Sequence, residues 1–353
     1  MTNPDADFWR NKKVLITGHT GFKGGWLIIW LRSLGAQVSG VSLAPHTRPS
    51  LFLEAGLEKL CAAHYICDIR DEQRLSEIVH EVAPDIVFHL AAQSLVRLSY
   101  RNPSETFATN FMGTVHLLDA LTRACSTRVA VMVTTDKVYE NREWHWPYRE
   151  IDSLGGHDPY SASKAACEIA IKSYGDAFLL EGGISWSSVR AGNVIGGGDW
   201  SEDRLIPDVI RAWEKGVELK VRRPRAVRPW QHVLEPLSGY LVLAERLWDT
   251  PKLSGSFNFG PSEGGTASVR QVVDVARNQI DELKVTYEAG ETGPTESNHL
   301  TLDISKARNT LEYIPRWGLE GSIRRTISWY EKLSSGQDAL ELCHDDIKNF
   351  CRS

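Results

Sequence analysis

Tyr160 and Lys164 stand four residues apart in Tyr160-Ser161-Ala162-Ser163-Lys164, a spacing that puts both side chains on one face of a helix. A free phenol ionises at about pH 10 and is a poor base at neutral pH. A neighbouring ammonium favours the phenolate, so such a pair can take a proton from an alcohol. The pattern alone arises by chance in many chains. Upstream, the apolar run Val129-Ala130-Val131-Met132-Val133 leads into Thr134-Thr135-Asp136-Lys137. A threonine hydroxyl followed by two ionisable groups at a strand end could bind an alcohol and act as acid and base at two neighbouring atoms. The competing reading of Asp136-Lys137 is a surface ion pair that starts a loop.

A third constellation lies near the N-terminus. Lys13-Val14-Leu15-Ile16-Thr17 reads as a buried strand and runs into Gly18-His19-Thr20-Gly21-Phe22-Lys23-Gly24. Glycines at this turn let the backbone approach a pyrophosphate, and the free N–H groups of the next helix attract its charge. Residues 22–34 read as an amphipathic helix that stops at Gly35. Lys23 is not followed by serine or threonine, so the loop does not read as a nucleoside-triphosphate P-loop. Dinucleotide sites usually carry an acidic residue at the end of the second strand, for the adenosine ribose. Here that segment is Gly40-Val41-Ser42-Leu43-Ala44-Pro45-His46-Thr47-Arg48. Ser42 offers a weaker hydrogen bond and Arg48 could meet a 2′-phosphate, which leaves NAD and NADP both open. Asp68, ending a third strand, could bind adenine or cap a helix.

These residues need a rigid frame. Strands are expected over 37–43, 63–67, 85–90, 129–133 and 184–190, and helices over 71–82, 104–125 and 160–180. Apolar runs without alternation imply strands buried on both faces. Their alternation with helices implies a parallel sheet with right-handed crossovers. The fold class is α/β: a Rossmann doubly wound parallel sheet with a smaller C-terminal substrate-binding lobe. After Asn193 the pattern becomes irregular, with loops at Gly196-Gly197-Gly198 and around Pro224 and Pro229. A helix over 233–248 and a strand over 256–259 return to the sheet, and further helices fall at 269–280 and 323–332. Residues 1–192 with about 233–262 form the dinucleotide domain, and about 193–232 with 263–353 the substrate domain.

A chain of 353 residues suggests about two structural units. Its 42% hydrophobic and 24% charged residues exclude a disordered tail, a collagen-like fibre and a small disulfide scaffold. A net charge of −5 lacks the basic footprint of a nucleic-acid binder. An anionic ligand therefore needs a local cluster, for which Arg222, Arg223, Arg225 and Arg228 are candidates; guanidinium forks suit a pyrophosphate, and the alternative is a solvated loop. No apolar run approaches the roughly 18 residues that span a bilayer, and the N-terminus has no signal pattern. Six cysteines without a CxxC pair predict reduced thiols and a cytoplasmic protein. Eleven histidines without ligand spacing predict no metal.

Taken in order along the chain, these motifs resemble the extended short-chain dehydrogenase/reductase family of NAD-dependent epimerases and dehydratases. The resemblance covers most of the chain. It is carried by Gly18-His19-Thr20-Gly21, His89-Leu90-Ala91-Ala92-Gln93, Thr135-Asp136, Tyr160 with Lys164, and Arg190-Ala191-Gly192-Asn193-Val194-Ile195-Gly196. It implies NAD as cofactor, lined by Gly18, His19, Thr20, Gly21, Phe22, Lys23, Gly24, Ser42, Asp68, Ile69, Leu90, Ala91, Ala92 and Gln93. It implies Tyr160 as base, Lys164 on the nicotinamide ribose and Thr135 on the 4-hydroxyl of a nucleotide sugar. Arg228 would reach the substrate diphosphate, Asn193 the diphosphate or the sugar, and Leu205, Ile206 and Pro207 the base, with Trp230 and His232 in the same substrate-binding segment as Arg228.

Dehydratases of this family commonly carry Asp-Glu after the threonine or serine. Asp136-Lys137 departs from that pattern and is similar to the branch acting on CDP-glucose, as are Gly197-Gly198-Asp199-Trp200, Asp203-Arg204-Leu205-Ile206-Pro207-Asp208 and Arg228-Pro229-Trp230-Gln231-His232-Val233. The implied substrate is CDP-glucose, oxidised at C4, dehydrated across C5 and C6 and reduced at C6. Asp136 would be the acid toward the C6 hydroxyl, and Lys137 the base at C5 or the stabiliser of the enolate. The alternatives are a 4-epimerase or dehydratase of a GDP-, dTDP- or UDP-linked sugar, and a non-catalytic dinucleotide sensor. The family also implies a homodimer or dimer of dimers packed through helices near 104–125 and 160–180, with no nucleic-acid or membrane partner.

Overall fold

The computed structural model describes residues 3–262, 265–280, 283–288 and 298–353. Its strands are β1 Lys13–Thr17, β2 Gln37–Ser42, β3 Ala63–Ile66, β4 Ile86–His89, β5 Val129–Val133, β6 Ser185–Ala191, β7 Asn193–Ile195, β8 Leu219–Val221, β9 Val227–His232, β10 Gly255–Phe259, β11 Thr266–Ser268 and β12 Val285–Tyr287. Seven of them form one parallel sheet in the order β10-β6-β5-β4-β1-β2-β3. Val14, Ile16, Phe88 and Val131 pack into one apolar cluster, while Leu15, Val87, Ala130 and Met132 pack into another. Successive strand residues point to opposite faces, so both faces of the sheet are covered, as the unbroken apolar runs require. The strand order reverses beside β1: the chain runs out through β2 and β3, then returns to β4 on the other side. That reversal opens a crevice at the C-terminal ends of β1 and β4.

The helix Phe22–Ser33 differs from the amphipathic expectation. Gly24 through Leu31 are buried without a break. The C-terminal helix Ala339–Arg352 lies over it, with the Trp30 and Phe350 rings 5.7 Å apart. A helix covered on both sides has no polar face. The long helix expected over 104–125 is a composite of Pro103–Phe107, a π-turn at Ala108–Met112 and Gly113–Thr122. Buried Asn110 sits in that π-turn, accepting from the Gln93 N–H at 2.8 Å and donating to Ser163 Oγ at 2.9 Å. The helix Pro159–Tyr174 likewise ends in a π-turn, Gly175–Leu179.

The segment around Pro229, expected as loop, contains strand β9, the centre of a sheet ordered β11-β9-β7. Pro229 pairs with Thr266 at one end of the β11 ladder, and the β7 ladder starts one residue later at Trp230. A residue without an N–H is tolerated where one ladder ends and the next begins. The helices Val96–Arg101, Leu205–Glu214 and Ala339–Arg352 have no counterpart in the sequence reading. Among the described residues no helix is long and apolar enough to cross a membrane.

Glu235, buried in the first turn of the helix Leu234–Asp249, pins the chain before the helix Leu319–Ser334. It accepts the N–H groups of Arg316 at 3.0 Å and Trp317 at 2.7 Å. Burial nevertheless pushes its carboxyl from 4.5 up to about 7. A carboxyl raised on folding contributes stability that is present below its unfolded value and lost as pH rises through its folded one. Glu235→Gln keeps the accepting oxygen and removes the charge. Urea unfolding at about pH 5 and about pH 8 should therefore show the variant gaining on the wild type as pH rises, by roughly 1–3 kcal/mol.

Candidate active site

A cavity of about 690 Å³ opens at the C-terminal end of the sheet. The site residues singled out in the sequence line it, except His19, Arg48, Asp136, Arg225 and His232. The glycine loop is shaped by its missing side chains. A Cβ on Gly18, whose φ is +74°, would lie 2.6 Å from the Ala91 nitrogen, and one on Gly24 would lie 2.3 Å from the Gly18 carbonyl oxygen. Thr20 ties the loop to β2: its hydroxyl donates to the Leu43 carbonyl at 2.9 Å and lies 2.9 Å from Ser42 Oγ. The Asp68 carboxylate is taken by Arg70, at 2.9 and 2.6 Å, whose hydrogen bonds hold it below the usual carboxylate range. Arg48 is exposed and does not line the cavity. The end of β2 therefore offers neither an acid for a ribose nor Arg48 for a 2′-phosphate.

Three expectations need correction. His19 points away from the cavity: it is fully buried, its Nε2 lies 2.6 Å from His64 Nδ1, and its ring fills the space that a side chain at Gly40 would occupy. His232 is also fully buried, packed against Trp317 and Trp26 at 4.8 and 5.9 Å, so it belongs to the core rather than the substrate wall. The Asp136 carboxylate is turned inward, where its Oδ1 accepts from the Thr135 hydroxyl at 2.9 Å and sits 3.3 Å from Lys137 Nζ. Of the arginine cluster, Arg222, Arg223 and Arg228 line the cavity and Arg225 does not.

The remaining reactive groups converge. Thr135 begins the short turn Asp136–Val138, and Lys137 faces the cavity beside it. Tyr160 leads the helix Pro159–Tyr174, whose first turn is capped by Asp158. Burial pushes its phenol up to about 12, while its hydrogen bond with Thr135 and the Arg204 guanidinium pull the other way. Lys164 is buried and donates from Nζ to the Val133 carbonyl at 3.1 Å. Burial, then the nearby Arg204 and Lys164, push Lys23 down to about 7. Arg204, Ser94 and Asp199 also line the cavity. Arg204 lies in the segment that carried the resemblance, yet nothing in its spacing marks it as a site residue.

The glycine cradle, the N-terminus of the helix Phe22–Ser33 and the walls formed by residues 90–93 fit a dinucleotide pyrophosphate. With Tyr160 and Lys164 in the same cavity, fold and site define a dinucleotide-binding protein of the short-chain dehydrogenase/reductase type. The sequence profile of the GDP-mannose 4,6 dehydratase family matches residues 15–326, and the chain belongs to that family. It is 45% identical over 352 residues to the CDP-glucose 4,6-dehydratase of Salmonella typhimurium strain LT2, covering 98% of each chain. It is 27% identical to a dTDP-glucose 4,6-dehydratase of Xanthomonas campestris pv. campestris, covering 90% of this chain and 92% of that one. Among solved structures, a UDP-glucose-4-epimerase from Stenotrophomonas maltophila with bound NAD and formylated UDP-arabinopyranose matches with a TM-score of 0.80 at 22% identity, covering 93% of this chain and 100% of that one.

Gly18→Ala tests the cradle. A side chain at positive φ pressed against backbone costs about 1–3 kcal/mol, so titration calorimetry should show NAD affinity falling about tenfold or more in a protein that remains folded by circular dichroism. Unchanged affinity would remove the loop from the site.

Proposed function

We propose that this chain converts CDP-glucose to CDP-4-dehydro-6-deoxyglucose, using NAD. The observation that carries this reading is the 45% identity along 98% of both chains with a CDP-glucose 4,6-dehydratase. It is supported by Thr135 and Lys137 sharing one cavity with Tyr160 and Lys164. When bound, NAD supplies the acceptor for the C4 hydride and the donor that returns it to C6. Thr135 orients the 4-hydroxyl, and Tyr160 takes its proton. Ketone formation at C4 makes the C5 proton acidic; we assign Lys137 to take that proton, and the C6 hydroxyl leaves as water with the proton that Lys137 passes on. Asp136 holds Thr135 and Lys137 in register, so its part in water loss runs through those two groups. Lys164 binds the nicotinamide ribose. Arg228 and Asn193 receive the diphosphate, and Leu205 and Ile206 the base, in a lobe built from about 193–232 and 263–353.

A 4-epimerase needs only the relay at the 4-hydroxyl and leaves Lys137 without a task; a sensor needs none of these groups. The family resemblance and the exposed Phe107, Met112, Ile169 and Phe178 support a homo-oligomer built on the helices that carry them. Six free cysteines support a reducing, cytoplasmic setting.

Incubation with CDP-, GDP-, dTDP- and UDP-glucose and NAD, read by the ultraviolet absorption of the 4-keto-6-deoxy product in base, should give product with the cytidine sugar first. Product from another nucleotide alone would reassign the substrate. Tyr160→Phe should lose about 10²–10⁴-fold in turnover while NAD affinity, by calorimetry, stays close to wild type. The double variant Asp136→Asn, Lys137→Met should still reduce NAD in a single turnover, yet dehydrate slowly and stop exchanging deuterium into C5. Normal dehydration by that variant would make Asp136-Lys137 a mere ion pair and assign the acid and base of water loss to other groups.

A further inference from the structure

The lysine one helical turn after Tyr160 is the obvious support for a phenolate, yet its hydrogen bond goes elsewhere. Lys164 Nζ donates to the Val133 carbonyl at the end of β5. A different cation, Arg204, lines the same cavity as the phenol. Arg204 immediately precedes the helix Leu205–Glu214. Its Nη1 donates to Asp199 Oδ2 at 2.9 Å, and its Nη2 donates to Ser94 Oγ at 3.2 Å. Ser94 follows the loop 90–93 at the end of β4, so the guanidinium bridges from the segment after β7 to the sheet. Asp199 is only 3% exposed, and its other oxygen accepts the Ser201 N–H at 3.0 Å. A buried carboxylate thus fixes the guanidinium in the same cavity wall as Tyr160.

We propose that Arg204, held by Asp199, is the positioning residue that supports the Tyr160 phenolate as it takes the proton of the sugar's 4-hydroxyl. The role rests on the dehydratase reading above. In the step, the O–H bond of the 4-hydroxyl breaks and the phenolate oxygen gains the proton. The charges around Tyr160 come from every side: Lys164 and Asp158 with its own helix, Asp136 and Lys137 at the end of β5, Lys23 from the glycine loop, and Arg204. Asp136 and Asp158 oppose the phenolate, and Arg204 favours it. Both Lys137 and Arg204 are paired with a carboxylate, at 3.3 and 2.9 Å, but the partner of Lys137, Asp136, is one of the charges that oppose the phenolate. Lys23 is driven toward its neutral form near pH 7 by burial and by Arg204 itself. A guanidinium keeps its charge at any working pH, so Arg204 is the cation that does not switch off.

The test needs a readout apart from turnover. Difluorotyrosine installed at position 160 ionises at lower pH than tyrosine, and fluorine NMR can follow it in the folded protein without ligand. An opposite charge at close range shifts a titration by about 1–3 units. Arg204→Met and Arg204→Gln should each raise the position-160 titration by about one unit or more, and Arg204→Lys by less. With CDP-glucose and NAD, the rise of kcat/KM with pH should move upward by the same amount in the Met and Gln variants. Two results would overturn the proposal: an unmoved fluorine titration in both variants, or a raised KM with no displacement of the pH profile, which makes Arg204 an anion contact only. A wild-type protein that leaves CDP-glucose untouched sinks the dehydratase reading, and the fluorine titration then still decides whether Arg204 acts on Tyr160.

Discussion

A buried ion pair, Arg190 with Glu168, fixes where every reactive group stands. The two side chains are 3% and 1% exposed and 2.7 Å apart. Charges that deep cost more in lost hydration than their attraction returns unless their remaining hydrogen-bonding positions are filled. Here most are. Glu168 accepts from Thr134, Ser188 and Ser256 besides Arg190, and Arg190 also donates to the Tyr139 hydroxyl and the Glu150 carbonyl. Glu168 belongs to the helix that carries Tyr160, and the partners come from the end of β5, from β6 and β10, and from the segment between β5 and that helix. Glu168 lies one turn past Lys164 and two past Tyr160, so the pair sets the register of that helix against the end of β5. An apolar replacement of similar volume could be as stable, but it would let the helix slide relative to Thr135.

The cavity above that pair has an electrostatic character opposite to the chain as a whole. A protein of net charge −5 gathers Lys23, Lys164, Arg204, Arg222 and Arg228 around one space. Their mutual repulsion is managed by burial and by buried or shared carboxylates. Asp199 serves Arg204, and Asp203 serves both Arg222 at 2.9 Å and Arg97 at 3.5 Å. Lys23 has no such carboxylate among its hydrogen bonds; its Nζ donates to the Tyr240 hydroxyl at 3.3 Å, and it responds by moving toward the neutral form. Low-dielectric walls make each uncompensated charge count for more, so a diphosphate needs no basic protein, only this local excess.

The sheet and the glycine loop were readable in the sequence because their signals are periodic and local. Unbroken apolar runs announced buried parallel strands, and glycines at a strand-to-helix turn announced close backbone approach. What escaped depends on contacts distant in the chain. Pro229 argued for a loop, and only the offset between its two ladders lets it sit in β9. The π-turn at Ala108–Met112 serves Asn110, whose partners Gln93 and Ser163 lie on other elements. His19 looked like part of a phosphate loop until His64 and the space at Gly40 claimed its ring. The one local sign of this was Gly40 itself, a glycine inside a strand, which marks close approach by something else.

The direction of Asp136 is the most instructive of these. β5 ends at Val133 and Asp136–Val138 form a short helical turn, so no strand alternation sorts these side chains: Val133, Thr134, Thr135 and Lys137 line the cavity and Asp136 does not. Thr135 caps that turn, its hydroxyl accepting the Lys137 N–H at 3.4 Å. Of the two adjacent ionisable side chains, only Lys137 lines the cavity here. The buried Asp136 is the counter-charge of Lys137. A carboxylate in the inner place draws Lys137 across at 3.3 Å and orders the Thr135 hydroxyl at 2.9 Å. Spacing alone reveals that two charges lie just past a strand end, and the turn that holds them decides which one lines the cavity.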